Sequence, residues 1–588
     1  MEAKERGFKF LNMEGEIKIP FFQRTYVWTQ DNWEELLEEF LIESKSNNFL
    51  GAIILKQLNH VSGEPKQAEV IDGQQRLTTL SVLLKALYDS LPDESKKNCE
   101  GAVMEILYYK KDYASPDKEL RINHSHIDQE SYRQVFESTL NLNEINEKSH
   151  LILQCYKYFA TKLKEIDENK KNKLLNKILN PENKMLVVID LKEGDDEQSI
   201  FDTLNTAGVR LTVAEIVKNA IFKRVIELSD KKKAVKLYKQ TWEETFLKDE
   251  EILKYWETEQ PTGRLKRDNL EILLHCIGVI KGFYDPDKHT LLELSKLYKE
   301  HLKKFDSIKE LINFINEIIE YAKIYREKTV TFDKSDLFSF DDSVRRLLHI
   351  LKELEISTFH PFILWMFKNY QNNEQQIKDI LGKLEKFVIQ NMLASVENIK
   401  NYNKLCKQFI ENPVNLDNKL KEISWEKVAG GLRNVSNRDA TLLLFWIELH
   451  RRYKEAIRYD EKDLKYDYTL EHIMPIKWEE NWNFSKVPHP KSSILSPEEQ
   501  KQDRNEKINW LGNMTLLKSS LNKVLKNAGF ETKMIGGGRK KGIKDYATLS
   551  ITKDDIVKPF ENGDKVWNEN KIETRTKNLG EEIRKIWG

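Results

Sequence analysis

The sequence predicts an α+β fold that is predominantly helical. Three observations carry this. Charged residues make up 32% of the 588, while 23 glycines and 14 prolines leave little material for long flexible linkers. Short apolar runs bounded by turn residues, the pattern of buried strands, occur toward both ends. Between them, apolar residues recur at helical spacing, as in Ile308, Leu311, Ile312, Ile315, Ile318, Ile319 and Ala322. A chain of this length holds several hydrophobic cores. We divide it at 1–240, 241–430 and 431–588, with the middle segment a helical connector.

Composition excludes some classes. Lysine plus arginine equals aspartate plus glutamate, 95 each, so the net charge is zero. A chain coated in basic charge is excluded, but a local basic groove is not. Cys99, Cys155, Cys276 and Cys406 lie far apart without metal-ligand spacing, which suits a reducing cytosol. The opening residues carry no signal-peptide pattern. The apolar runs Met185–Leu191 and Leu442–Leu449 are too short to cross a bilayer. The expectation is a cytoplasmic protein with no membrane partner.

Taken in order, Ile19 to Trp28 reads as a strand or ordered loop, because Pro20 sets an extended entry and aromatic residues follow. Trp33, Leu36, Leu37, Phe40 and Leu41 mark an amphipathic helix. Phe49 to Leu55 is a buried strand and Glu69 to Ile71 its partner, in a small mixed sheet rather than a doubly wound one.

Val70 to Leu80 organises the N-terminal part. An apolar run meets the turn Asp72-Gly73, and Leu77, Leu80, Leu83, Leu84 and Leu87 then share one helical face. Asp72 to Arg76 therefore falls where a strand ends and a helix begins, a place where free N–H groups and the helix dipole favour phosphate. Gly73 permits close backbone approach or a positive φ. Asp72 could hold Mg²⁺, Gln74 or Gln75 could orient a water, and Arg76 could pair with phosphate oxygens. A polar turn ahead of a core helix is the other reading of these residues.

Two further segments bear on this region. His124 and His126 read as surface or substrate-contact residues. Phe201 to Leu211 reads as a helix ended by Asn205 and Gly208, followed by a helix with Thr212 as N-cap and Glu215 at the capping-box position. The stretch Gly263 to Arg267 is a basic loop, either solvated or close to nucleic acid.

A second constellation lies near the C-terminus. Glu471 and His472 are adjacent, and Pro475 stops any helix through them. Asn513 follows within Asn509–Leu517, a strand or turn, and Asn522 lies in the first turns of a later helix. Such a set is what a ββα-metal (His-Me finger, HNH) nuclease needs. His472 would accept a proton from water, Glu471 and Asn522 would hold one hard cation, and Asn513 would orient the His472 ring. A buried histidine in a small α+β domain is the bland alternative. Gly536 to Gly542, with Arg539, Lys540, Lys541 and Lys544 in and beside it, is a basic loop that either wraps DNA phosphates or is a plain surface loop.

Both regions resemble one family. Asp72-Gly73-Gln74-Gln75-Arg76 resembles the DGQQR signature of the ParB/sulfiredoxin-like domain in the GmrSD family, modification-dependent (type IV) restriction enzymes with related phage-defence proteins. Pro20-Phe21-Phe22-Gln23-Arg24-Thr25-Tyr26-Val27-Trp28 resembles its first motif. Phe201, Asn205, Gly208, Leu211, Lys218 and Asn219 resemble its second, with Glu215-Ile216 departing from the usual Asp-Leu. Glu471-His472 with Pro475, Leu511-Gly512-Asn513, Asn522, Phe530, Lys533, Trp567 and Arg575 resemble its C-terminal HNH-type domain.

The resemblance implies that residues 1–240 bind and hydrolyse a nucleoside triphosphate, and that 431–588 are a nuclease. Gln23, Arg24, Asp72, Gly73, Gln74, Gln75, Arg76 and Asn205 would form the nucleotide pocket. The triphosphate base stays open among ATP, GTP and UTP, the metal is Mg²⁺ or another divalent cation, and the partner is DNA, as from a modified phage genome. A homo-oligomer is compatible with the sequence. Another reading is a non-catalytic ParB-like DNA-binding regulator with a degenerate nuclease. Sulfiredoxin-like redox chemistry fails, because the cysteine nearest Arg76 in sequence is Cys99.

Overall fold

A computed structural model describes residues 2–42, 49–58, 65–111, 117–137, 140–192, 212–262, 265–328, 332–333, 335–455, 461–518, 527–537 and 540–588. The chain divides into two compact units, Met1–Tyr238 and Lys239–Gly588. Asn205 and Asn522 both lie outside the described residues.

The first unit is built on a six-stranded mixed sheet. Its strands are β1 (Glu2–Arg6), β2 (Glu16–Lys18), β3 (Ala52–Leu58), β4 (Gln67–Asp72), β5 (Ile122–Asn123) and β6 (Leu186–Leu191), in the order β1-β6-β3-β4-β2-β5. The two strands expected at 49–55 and 69–71 pair antiparallel, with Ile54 opposite Asp72 and Leu55 opposite Val70. Segment 19–29 is an ordered connection between β2 and helix α1 (Gln30–Leu41), and Trp33, Leu36, Leu37 and Phe40 turn inward from that helix. Helix α2 (Gln74–Asp89) presents Leu77, Leu80, Leu83, Leu84 and Leu87 to the core, all fully buried. Helix α3 (Val213–Leu228) starts with the expected capping box. Glu215 N donates to Thr212 Oγ1 at 3.1 Å, and Thr212 N donates to the Glu215 carboxylate at 2.8 Å.

The second unit is mostly helical. Its described elements include α4 (Asn269–Ile280), α5 (Ile308–Lys328), α6 (His360–Asn369), α7 (Glu374–Ala394), α8 (Tyr402–Glu411) and α9 (Asn437–Lys454). The apolar stripe of α5 is core, with Leu311, Ile315, Ile318 and Ala322 fully buried. Strands β7 (Tyr468–His472) and β8 (Met514–Lys518) pair antiparallel. Helix α10 (Phe530–Ile535) and the long α11 (Glu569–Trp587) follow.

The sequence reading separates a connector at 241–430 from a domain at 431–588. In the structure one hydrophobic cluster runs from Phe338 through Phe387 and Trp446 to Met514, Leu516 and Trp587. Apolar faces of α7, α9 and α11 close on each other, so the two segments share one core. The basic stretch at 536–542 also departs from an open loop. Gly536 and Gly537 pair antiparallel with Lys541 and Lys540. No described helix is long and apolar enough to cross a membrane.

Candidate functional site

The N-terminal site is assembled where β4 enters α2. Gly73 is the N-cap, with φ 94°, and a Cβ there would lie 2.9 Å from Ile53 Cγ1. Left-handed backbone and close strand approach both demand glycine at this point. No side chain caps the helix, so its first N–H groups keep their positive field.

The residues around that turn interlock. Gln23 Nε2 donates to Val70 O at 2.6 Å, tying segment 19–29 to β4. Gln74 Nε2 donates to Arg24 O at 2.5 Å. Gln75 grips the same segment twice, Nε2 donating to Thr25 O at 3.1 Å and Oε1 accepting from Val27 N at 2.9 Å. The amide of Gln75 is thus occupied by backbone at both ends. Through these two bonds it positions residues 25–27. Gln74 differs, because its buried Oε1 has no hydrogen-bond partner among the described residues. A buried orphan acceptor costs free energy unless a ligand or water donates to it.

Arg76 lies in the first turn of α2. Its guanidinium covers Gly51, where a Cβ would come within 3.0 Å of Cζ, and Nη1 donates to Ala52 O at 2.9 Å. Gly51, at φ 105°, is therefore as constrained as Gly73. The structure gathers Gln23, Arg24, Gln74, Gln75 and Arg76 within the same strand–turn–helix assembly, with half-buried Asp72 at the end of β4.

Sequence reasoning placed Lys218 and Asn219 in a motif but gave them no role. Asn219, with its amide nitrogen turned toward Phe22, donates to Phe22 O at 2.8 Å and locks α3 onto the same segment. Lys218 is buried, and burial pulls its ammonium down to about 8; Glu215 opposes the shift and the nearby Arg24 charge adds to it. A buried lysine beside an arginine is an unfavourable arrangement that an anion would relieve. The signal was present in the sequence as a lysine on the apolar side of α3.

His124 does not lie on the surface. Its Nε2 is 3.2 Å from Thr78 Oγ1, one turn beyond Gln74, and burial pulls its pKa to about 4. Asp128 beside it accepts from Tyr26 N at 3.0 Å. The His124 segment therefore braces residues 24–27 from behind.

The C-terminal site lies on β7. Glu471, 6% exposed, faces Thr515 across the ladder, and the half-buried His472 faces Met514. Lys533 on α10 reaches the pair, donating to the Glu471 carboxylate and to His472 O, the latter at 2.7 Å. Burial raises the Glu471 carboxyl despite this partner, and lowers the Lys533 ammonium. Burial also draws His472 down to about 4, with the Lys533 charge adding to it. The imidazole is thus neutral at pH 7 and able to accept a proton.

Asn513 is fully buried but does not bond the His472 ring. Its Nδ2 donates to Met474 O at 2.8 Å and Ile508 O at 3.0 Å. Its Oδ1 accepts from Met474 N at 2.9 Å and Trp567 Nε1 at 3.1 Å. Two of these four bonds hold Met474, just after His472, and the other two tie it to Ile508 and Trp567, so Asn513 fixes the backbone at the end of β7. This corrects the expected ring contact. Arg575 supports the facing strand, donating to Gly512 O at 2.9 Å, Met514 O at 2.6 Å and Ile551 O at 2.8 Å.

Among the described residues, no group of three or more His, Cys, Asp or Glu is arranged to hold a metal ion. Glu471 Oε1 is engaged by Lys533, which leaves Oε2 as an oxygen donor suited to one hard cation. A carboxylate oxygen fits such a cation, and the other expected ligand, Asn522, is outside the described residues.

Comparison with known proteins bears on both sites. Residues 8–222 match the model of the GmrSD restriction endonuclease N-terminal domain, and residues 426–582 match that of the GmrSD C-terminal domain. The uncharacterized protein MJ0686 of Methanocaldococcus jannaschii is 31% identical over 86 residues, covering 11% of this chain and 14% of that relative's length. The two family matches span more than half of the chain, follow in order, and enclose both clusters of interlocked residues. On that basis the chain belongs to the GmrSD restriction endonuclease family.

Proposed function

We propose that the protein is an NTP-regulated, metal-dependent DNA endonuclease of phage defence that acts on modified foreign DNA. The observation that carries the nuclease reading is the Glu471–His472 pair on β7, with the imidazole neutral and half-buried. His472 accepts a proton from water at an imidazole nitrogen as the water oxygen attacks phosphorus, and the P–O bond to the leaving oxygen breaks. A divalent cation such as Mg²⁺, held by Glu471 and Asn522, would offset charge on the scissile phosphate and the leaving oxygen. Asn513 and Arg575 keep the strand pair in register beneath the reacting groups.

In the N-terminal unit, Lys218, Arg24 and Arg76 supply positive charge to a triphosphate. The uncapped start of α2 and the orphan Gln74 Oε1 supply polar contacts. The family motif would add Asn205, which lies outside the described residues. Hydrolysis there would regulate cleavage; the base is open among ATP, GTP and UTP.

The Lys533 ion pair favours a second reading, a DNA-binding regulator whose nuclease is degenerate, since the carboxylate already has a cationic partner. The deciding experiment is cleavage of modified and unmodified phage DNA, with and without each NTP. Divalent-dependent cleavage that His472→Ala abolishes supports the first reading. Binding without cleavage under every condition supports the second.

A further inference from the structure

The second unit contains a cavity of about 330 Å³, walled by α4, the loop from Tyr284 to Leu291, and the starts of α6 and α8. Neither site above uses it. Its size is near the lower end of ligand pockets, enough for a small organic molecule.

The polar groups of the wall are unusual for a helical core. Arg267, 9% exposed, lines the cavity, so this member of the basic stretch at 263–267 is built into the wall instead of being solvated. His275, His289 and His360 also line it. Burial and the Arg267 charge draw His275 to about 3 and His360 to about 4, so both are neutral. His289 Nδ1 accepts from Asp285 N at 3.0 Å, which leaves its Nε2 as the donor.

Three histidines with Cys276 and Cys406 suggest a metal centre, but the electrostatics oppose one. Burial drives the Cys276 thiol up to about 12 and raises Cys406 further, so neither is a thiolate at neutral pH. Arg267 would repel a cation. No carboxylate lines the cavity. Asp285 on the loop is paired with Lys407 at 2.8 Å, and Glu271, which feels the Arg267 charge, has its carboxyl raised by burial. Arg267 brings a positive charge to the wall, the His275 and His360 imidazoles are neutral, and Ser357 and Asn403 add uncharged polar groups. Ile272, Val279 and Leu291 supply an apolar side.

We propose that this cavity binds a phosphate-bearing ligand the size of one nucleotide, its phosphate on Arg267 and its base against the apolar side. A guanidinium is suited to phosphate oxygens, and neutral imidazoles with hydroxyl and amide groups suit a nucleobase edge. The unit is either a free nucleotide or one nucleotide of bound DNA. The inference stands apart from the N-terminal triphosphate site and from the nuclease reading.

The test is calorimetric titration of the full-length protein with AMP, GMP, CMP, UMP and inorganic phosphate. At least one monophosphate should bind. Arg267→Gln should weaken it 10-fold or more, Arg267→Lys less, and the cavity-filling Ser357→Trp should abolish it, with unfolding temperature confirming each fold. Binding should persist in Arg76→Ala. Competition by duplex DNA assigns the ligand to DNA, and indifference to DNA assigns it to the free nucleotide. The proposal is overturned if no monophosphate binds at millimolar concentration, if Arg76→Ala abolishes binding, or if the folded Arg267 and Ser357 variants bind like the wild type.

Discussion

Lys533 donates at once to the carboxylate of Glu471 and to the backbone oxygen of His472, so one buried ammonium bridges two consecutive residues of β7. This cation sets the charge state of the site as much as the residues it touches. Removing it leaves the Glu471 carboxylate buried without its partner. Lys533→Met should destabilise the second unit by about 3–5 kcal/mol, the usual cost of breaking a buried pair from one side. Glu471→Gln combined with Lys533→Met should recover part of that loss. Chemical denaturation of both variants measures it, and an unchanged midpoint in Lys533→Met would show that the ion pair contributes nothing.

His472→Ala should abolish DNA cleavage while leaving the fold and NTP hydrolysis intact. Loss of the only neutral base on β7 removes the proton acceptor, and cleavage should fall by at least the 10² to 10⁴-fold typical of general-base removal. Excess EDTA should do the same to the wild type. A variant that cuts at the wild-type rate removes His472 from the mechanism.

The N-terminal site should lose nucleotide affinity as pH rises through about 8. Lys218 is charged below that value and neutral above it, and only the charged form attracts a triphosphate. Bound phosphate would raise its pKa, so the loss in the complex shifts above 8. Lys218→Met should bind weakly at pH 7 and show no such dependence. Titration of a non-hydrolysable NTP from pH 7 to 9.5 reads it; a flat wild-type profile excludes Lys218 from the pocket.

Regulation of cleavage by NTP requires reciprocity. If NTP changes DNA affinity, DNA must change NTP affinity by the same factor, typically about 5- to 150-fold. Arg76→Ala should therefore alter cleavage although it belongs to the other unit. Equal NTP affinity with and without DNA, together with wild-type cleavage by the variant, would leave the two activities independent.

Acid should unfold the protein early. His124, His275 and His360 are buried neutral, with pKa values of about 4, 3 and 4. In the unfolded chain they bind protons near 6.5, so below that pH protons favour unfolding. The stability they contribute is complete above pH 6.5 and is lost as pH falls through about 4 for His124 and His360 and about 3 for His275, on the order of 3 kcal/mol for a group as buried as His124. Circular dichroism across that window should show cooperative loss, and a chain that stays fully folded at pH 4 refutes it.

Local patterns sufficed for much of this protein. Strand-to-helix transition at Asp72–Arg76, the inward face of α2, the Thr212–Glu215 cap and the core stripe of α5 all depend on residues within a few turns of one another, and periodicity reports them. The Glu471-His472 pair was visible for the same reason. What sequence could not decide were partners supplied from far along the chain. Gln75 and Asn513 look equally able to orient a water, a ring or a backbone. Only packing shows that Gln75 grips Thr25 and Val27, and that Asn513 grips Met474 and Trp567. The same holds for Lys533 on Glu471, 62 residues away in sequence, and for Arg267 drawn into a cavity wall instead of solvent. A side chain's hydrogen-bonding capacity is a property of its type; which group fills that capacity depends on which backbones the core brings within about 3 Å of it.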